Sequence, residues 1–150
     1  MSRTATALQK FGDGYNCAQA VIYSFSDERE DDDKDLLLKL ACGFGAGMGR
    51  KEIVCGAVSG GIMALGMKYG RGENKDGALT ERTYRKTREL MDKFVEKYGT
   101  VICRELLGGC ELTTPEGQRE FREKDLKNKV CKDCVRAVVE IIENISLSEE

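Results

Sequence analysis

Apolar residues recur along most of this chain at intervals of three and four, the period of a helix with one buried face. Few stretches alternate with the period of two that a half-buried strand needs, and the chain has a single proline. The pattern predicts an all-α fold: one compact helical bundle over residues 1–150, built around a central apolar, glycine-rich helix. Cys17, Ala20, Val21, Ser24 and Phe25 share one stripe, and Asn16 stands before them as an N-cap. The acidic stretch 27–35 reads as a solvated turn. Its aspartates suit the start of a short helix carrying Leu37, Leu40, Ala41 and Phe44 on one face.

Residues 53–69 are apolar nearly all round, which predicts the central buried helix. Gly56, Gly60 and Ala64 recur every fourth residue and give it a flat side for close packing. The longest amphipathic segment is 80–98. Thr83, Thr87, Leu90, Met91, Phe94, Val95 and Tyr98 are expected to face the core, with Glu81, Arg85, Lys86, Glu89, Lys93 and Glu96 largely outward. Gly99 suits its C-terminal cap. A short helical turn at 102–107 ends at Gly108-Gly109. Thr114-Pro115 opens a polar, superficial helix. In the last helix Cys131, Cys134, Val135, Val138, Ile142 and Ile145 form one inward stripe.

Between these helices Gly43-Phe44-Gly45-Ala46-Gly47-Met48-Gly49 breaks the pattern. Its alternate glycines resemble a phosphate-cradling loop, but residues 36–40 read as helix rather than strand, and no Gly-Lys-Ser/Thr follows. A tight irregular turn that lets two helices approach is the expectation.

Composition then narrows the chemistry. The chain has seven cysteines and no histidine. That removes Ser/His and Cys/His couples, histidine metal ligands and histidine proton shuttles. The net charge is −2, with both signs interspersed, so no nucleic-acid footprint is visible. The apolar run 53–67 is shorter than the ~20 residues of a membrane span, and the first ten residues lack an apolar signal core. No membrane insertion and a cytoplasmic location are expected. In a reducing compartment clustered thiols more often bind metal or cycle between redox states than form permanent cross-links.

Cys17, Cys55 and Cys131 each fall where a helix is expected to begin. A helix N-terminus offers unpaired N–H groups and about half a positive charge, which favours thiolate. Arg50 and Lys51 near Cys55, and Lys129 and Lys132 around Cys131, act in the same sense. Cys131-Lys132-Asp133-Cys134 is a C-x-x-C pair, but it lacks the βαβ context of a thioredoxin site. Val135 stands where haem attachment needs histidine, and the pair is only half of a zinc-ribbon ligand set. Glu52 is expected in a surface ion pair with Arg50 or Lys51. Tyr15, Tyr69 and Arg104 are candidates to line a pocket around the sulfurs.

Several segments together resemble a known family. Gly14-Tyr15-Asn16-Cys17-Ala18-Gln19-Ala20-Val21, the 43–50 glycine segment, Cys55-Gly56-Ala57-Val58-Ser59-Gly60, Cys103-Arg104-Glu105-Leu106-Leu107-Gly108 and the Cys131 helix occur in the order found in the redox-active cysteine proteins of the C_GCAxxG_C_C family. The resemblance implies a small all-helical redox domain whose four family cysteines fall on Cys17, Cys55, Cys103 and Cys131. Cys42, Cys110 and Cys134 are extra to that set. Some relatives look like multihaem cytochromes with an iron–sulfur centre, and this chain lacks every histidine those haems need.

Three functional readings stay open. In the first, Cys55 is an attacking thiolate and Cys17, Cys103 or Cys131 resolves. Such a protein needs no cofactor and acts on a redox partner or small-molecule substrate. In the second, the same four sulfurs hold zinc or a [2Fe–2S] cluster. In the third, the thiols fill the core of a helical interaction domain, and the glycine face of the central helix forms a homodimer interface. The first two require Cys17, Cys55, Cys103 and Cys131 to meet in space.

Overall fold

The computed structural model describes residues 1–147. Among the described residues eight right-handed α-helices make up the fold: α1 (Arg3–Gly12), α2 (Cys17–Ser24), α3 (Asp31–Ala41), α4 (Gly56–Tyr69), α5 (Gly77–Tyr98), α6 (Cys103–Leu106), α7 (Pro115–Glu123) and α8 (Lys132–Leu147). Among the described residues the only β-type pairing is a single antiparallel bridge between Val54 and Ile102. The all-α expectation holds.

α4 is central, as its composition requires. It packs against α2, α5 and α8, and its glycines set how close each neighbour comes. A Cβ on Gly60 would lie 2.5 Å from the Ala18 carbonyl oxygen of α2, and one on Gly61 would lie 2.6 Å from Val138 Cγ1 of α8. Val58 and Leu65 of α4, Leu90 and Phe94 of α5, and Val135 and Val138 of α8 are wholly buried. Each such side chain contributes roughly 1.5–3 kcal/mol from burial. The glycine face is therefore occupied inside the chain by α2, and the homodimer interface expected there is not available.

Side-chain caps open four of the eight helices, Asn16 among them. Ser2 accepts from the Ala5 amide, Asp76 from Ala78 and Thr114 from Gly117, with Pro115 at the first helical position of α7. Gly99 closes α5 in the left-handed conformation at φ 83°.

Several expectations are corrected. α1 was not anticipated, because its apolar stripe is thin and only Ala7 and Phe11 become buried. α4 begins at Gly56, so Ile53 lies outside it and is half exposed. Leu40 and Val95 point outward, at 60% and 41% exposure. Lys86 is buried, with its ammonium 4.3 Å from the centre of the Tyr69 ring. It stands four residues before Leu90 and eight before Phe94, so spacing puts it on the core face although its charge suggested the other. Among the described residues no helix is long and apolar enough to cross a membrane.

Candidate functional site

Cys17 opens α2 behind a reciprocal cap. Asn16 Oδ1 accepts from the Gln19 amide and Gln19 Oε1 accepts from the Asn16 amide, both at 3.0 Å. Asn16 Nδ2 also donates to the Cys42 carbonyl at 2.9 Å, which ties the start of α2 to the end of α3. The glycine segment beside it is a left-handed turn. Ala46, Gly47, Met48, Gly49 and Arg50 all have positive φ, from 54° to 73°, and Glu52 follows at 59°. Left-handed residues normally occur singly, and each non-glycine one costs of order 1–3 kcal/mol. At Gly47 a side chain is excluded twice over: φ is +67°, and a Cβ would sit 2.5 Å from Glu52 Cα and 2.8 Å from Cys103 Cβ. This turn brings Ala46 and Arg50 to the sulfurs.

Cys55 and Cys103 are clipped together by backbone. The Cys55 amide donates to Val101 at 2.8 Å and the Cys103 amide donates to Ile53 at 2.7 Å, on either side of the Val54–Ile102 bridge. Cys55 is the N-cap of α4, and Cys103 is the first residue of α6. Gly56 faces Cys17 Sγ so closely that a Cβ there would overlap it. Cys131 departs from its expected place at a free helix start. It closes a wide π-type turn, Lys127–Cys131, that runs straight into α8. Such turns insert extra backbone and re-aim side chains, often at functional sites. Cys134 follows on the same helix, 1% exposed.

These residues surround one cavity of about 380 Å³. Five cysteines line it: Cys17, Cys55, Cys103, Cys131 and Cys134. Cys42 is exposed at the end of α3, and Cys110 is buried elsewhere, its thiol donating to the Gly117 carbonyl at 2.9 Å. All seven are free thiols. Tyr15 lines the cavity, as anticipated. Tyr69 lies at the far end of α4, and Arg104 turns to Glu52 instead.

The thiols are electrostatically unequal. Cys55 is pulled below the ordinary thiol value of 9.0, first by the S–H of Cys134 and then, against burial, by the amides of Ala57 and Val58 at the head of α4. Burial, and then the neighbouring Cys55, push Cys17 up to about 11. Burial, followed by Cys17 and Cys55, pushes Cys131 up to about 12. Cys103 is raised, chiefly by burial. Cys134 is raised strongly by its hydrogen bond to Cys55 and then by burial. Cys55 is thus the one cavity sulfur lowered, while the other four are raised.

Glu52 is not the surface residue its charged neighbours suggested. Its side chain is fully buried; Oε1 accepts from the Leu112 amide at 2.9 Å and lies 3.5 Å from the Arg104 guanidinium. The donors do not make a ready metal-ion site. Among the described residues no three Cys, Asp or Glu side chains are grouped as a metal-ion site in the metal-free chain.

Residues 15–145 match the family model described as Putative redox-active protein (C_GCAxxG_C_C). The chain belongs to this family. No curated protein and no solved structure gives a significant match. The four cysteines of the family pattern all reach the cavity. Cys134, extra to that pattern, lines it too, and its thiol is the largest influence lowering Cys55. Its C-x-x-C spacing was the one sequence signal for it. Gln118, Phe121 and Arg122 of α7 also line the cavity, and nothing in their polar, superficial segment signalled this.

Proposed function

We propose that this chain is a two-electron thiol–disulfide redox protein in which Cys55 attacks and Cys134 resolves. The observation that carries the reading is that Cys55, at the head of α4, and the buried Cys134 of α8 line one cavity, with the Cys134 thiol the largest influence lowering Cys55 below the usual thiol range. Cys55 thiolate displaces one sulfur of a substrate disulfide and becomes a mixed disulfide. Its negative charge is then gone, and with it the largest influence holding the proton on Cys134. Cys134 gives up that proton to the first departing substrate thiolate and attacks the Cys55 sulfur, and the second substrate sulfur departs as thiolate. Cys17, Cys103 and Cys131 face the same cavity as protonated thiols to which the disulfide can be passed. Partial burial keeps the exchange from bulk thiols, and a thiol lowered by its neighbours has less need of a histidine base.

The test is mapping of the first disulfide formed when the reduced protein meets one equivalent of a mild oxidant. A Cys55–Cys134 linkage is expected. Cys55→Ser should lose most thiol reactivity at neutral pH, and Cys134→Ser should stop at the mixed disulfide. Seven unreactive thiols, or a first disulfide without Cys55, would overturn the proposal. So would stoichiometric iron or zinc on protein purified without oxygen.

A further inference from the structure

The cavity walls carry a charge pattern that thiol exchange alone does not require. The chain is net negative, at −2, yet the cavity is lined by Arg50, Arg122 and Lys127 and by no aspartate or glutamate. Other cations nearby are already matched: Arg104 by Glu52 at 3.5 Å and Lys124 by Glu120 at 2.7 Å. Arg50 and Arg122 enter no ion pair among the described residues. Lys127 is held at the wall by its position 4.9 Å from the centre of the Phe11 ring, and its charge is felt by Cys131. Arg50 is delivered there by the left-handed turn, at φ 69°. Three cations from three separate segments, unmatched by any acid in the wall, give the cavity an excess of positive charge that an anionic ligand would meet on entry.

Much of the remaining wall is apolar, formed by Leu106, Leu107, Leu112, Phe121 and Val130. The volume of about 380 Å³ is near the lower end of the roughly 300–1,000 Å³ of small-molecule sites. A disulfide held within a folded protein is too bulky to enter such a space.

Resting on the thiol-exchange reading, we propose that the substrate is a small organic disulfide bearing carboxylates, which Arg50, Arg122 and Lys127 bind while its carbon chain lies on the apolar wall. The Cys55 sulfur forms a bond to one sulfur of the substrate, R–S–S–R, and the S–S bond breaks to release R–S⁻. The cations stabilise this departing charge, and R–S⁻ takes the proton of Cys134. Cys134 then bonds to Cys55 and expels the second R–S⁻. The protein loses two electrons and one proton, and the substrate gains both and leaves as one thiol and one thiolate.

The experiment measures oxidation of the reduced full chain by dithiodipropionate (dianionic), hydroxyethyl disulfide (neutral) and cystamine (dicationic). Each rate is divided by that disulfide's rate with free mercaptoethanol. Dithiodipropionate should lead the neutral compound by at least about tenfold, with cystamine slowest. In the unaltered protein this spread should shrink towards unity in about 1 M salt. Arg50→Gln with Arg122→Gln, and separately Lys127→Gln, should bring the dithiodipropionate rate down towards that of hydroxyethyl disulfide. A lead below about threefold, a lead insensitive to salt, or cystamine fastest would overturn recognition by charge while leaving thiol exchange standing. Failure of all three compounds to oxidise Cys55 would overturn the underlying reading instead.

Discussion

Glu52 shows at single-residue scale how a charged side chain becomes part of the site's frame. It holds a left-handed backbone at φ 59°, its carboxylate is buried, and one oxygen joins the Leu112 amide to the Arg104 guanidinium. The other oxygen is buried without a partner. Glu52→Ala would leave the Leu112 N–H unsatisfied and Arg104 without its counter-charge. A loss of about 2–4 kcal/mol is expected from urea unfolding of the reduced protein. Glu52→Gln keeps an acceptor for Leu112 and should lose less, whereas equal losses for the two variants would argue against the amide anchor. Both variants should also lower the pKa of Cys103, because the Glu52 charge is one of the influences that raise it. None of this was visible in Lys51-Glu52, where adjacent charges suggest a solvated pair; burial was decided by the chain segment 108–112 folding over it.

At the scale of elements, the glycines of α4 divide into two kinds. Gly56 is pressed against Cys17 Sγ and the Phe44 carbonyl, whereas Gly66 has open space around the position of a Cβ. Gly56→Ala is expected to destabilise by about 1–3 kcal/mol through overpacking, and to disturb Cys17 labelling. Gly66→Ala should stabilise by about 0.5–1 kcal/mol, because it removes backbone freedom from the unfolded chain at no steric cost. Thermal or urea unfolding of the two variants decides the matter, and the same sign for both would contradict this packing. The every-fourth-residue pattern of Gly56 and Gly60 announced a close helix contact. It did not announce the partner, since a second copy and α2 present the same need for small residues.

For the whole molecule, the cavity's thiols couple stability to pH. Cys17 at about 11 and Cys131 at about 12 keep protons in the folded state that the unfolded chain, near 9.0, gives up. Their contribution is therefore complete below 9.0 and is lost as pH rises towards those values. Cys55, lowered, has the opposite sign: its contribution is present above 9.0 and fades as pH falls through its folded value. The reduced protein should accordingly lose stability as pH climbs above 9.0 towards 11, read as a falling urea midpoint. A variant with Cys17→Ala and Cys131→Ala should show a shallower fall. Identical slopes would mean that these thiols are not the titrating groups.

By itself the sequence determined the helices other than α1, the caps at Asn16, Gly99 and Thr114, and the family, because these depend on spacings of three and four residues and on short motifs. It also singled out Cys17, Cys55, Cys103 and Cys131. Only the tertiary structure decided that Cys134 joins Cys55 at one cavity, that residues 46–50 turn left-handed, and that three cations share a wall with five thiols. Those outcomes rest on how α4 crosses α2 and α8 and on the pairing of 53–55 with 101–103. Contacts between residues so distant in the chain leave no periodic trace in it.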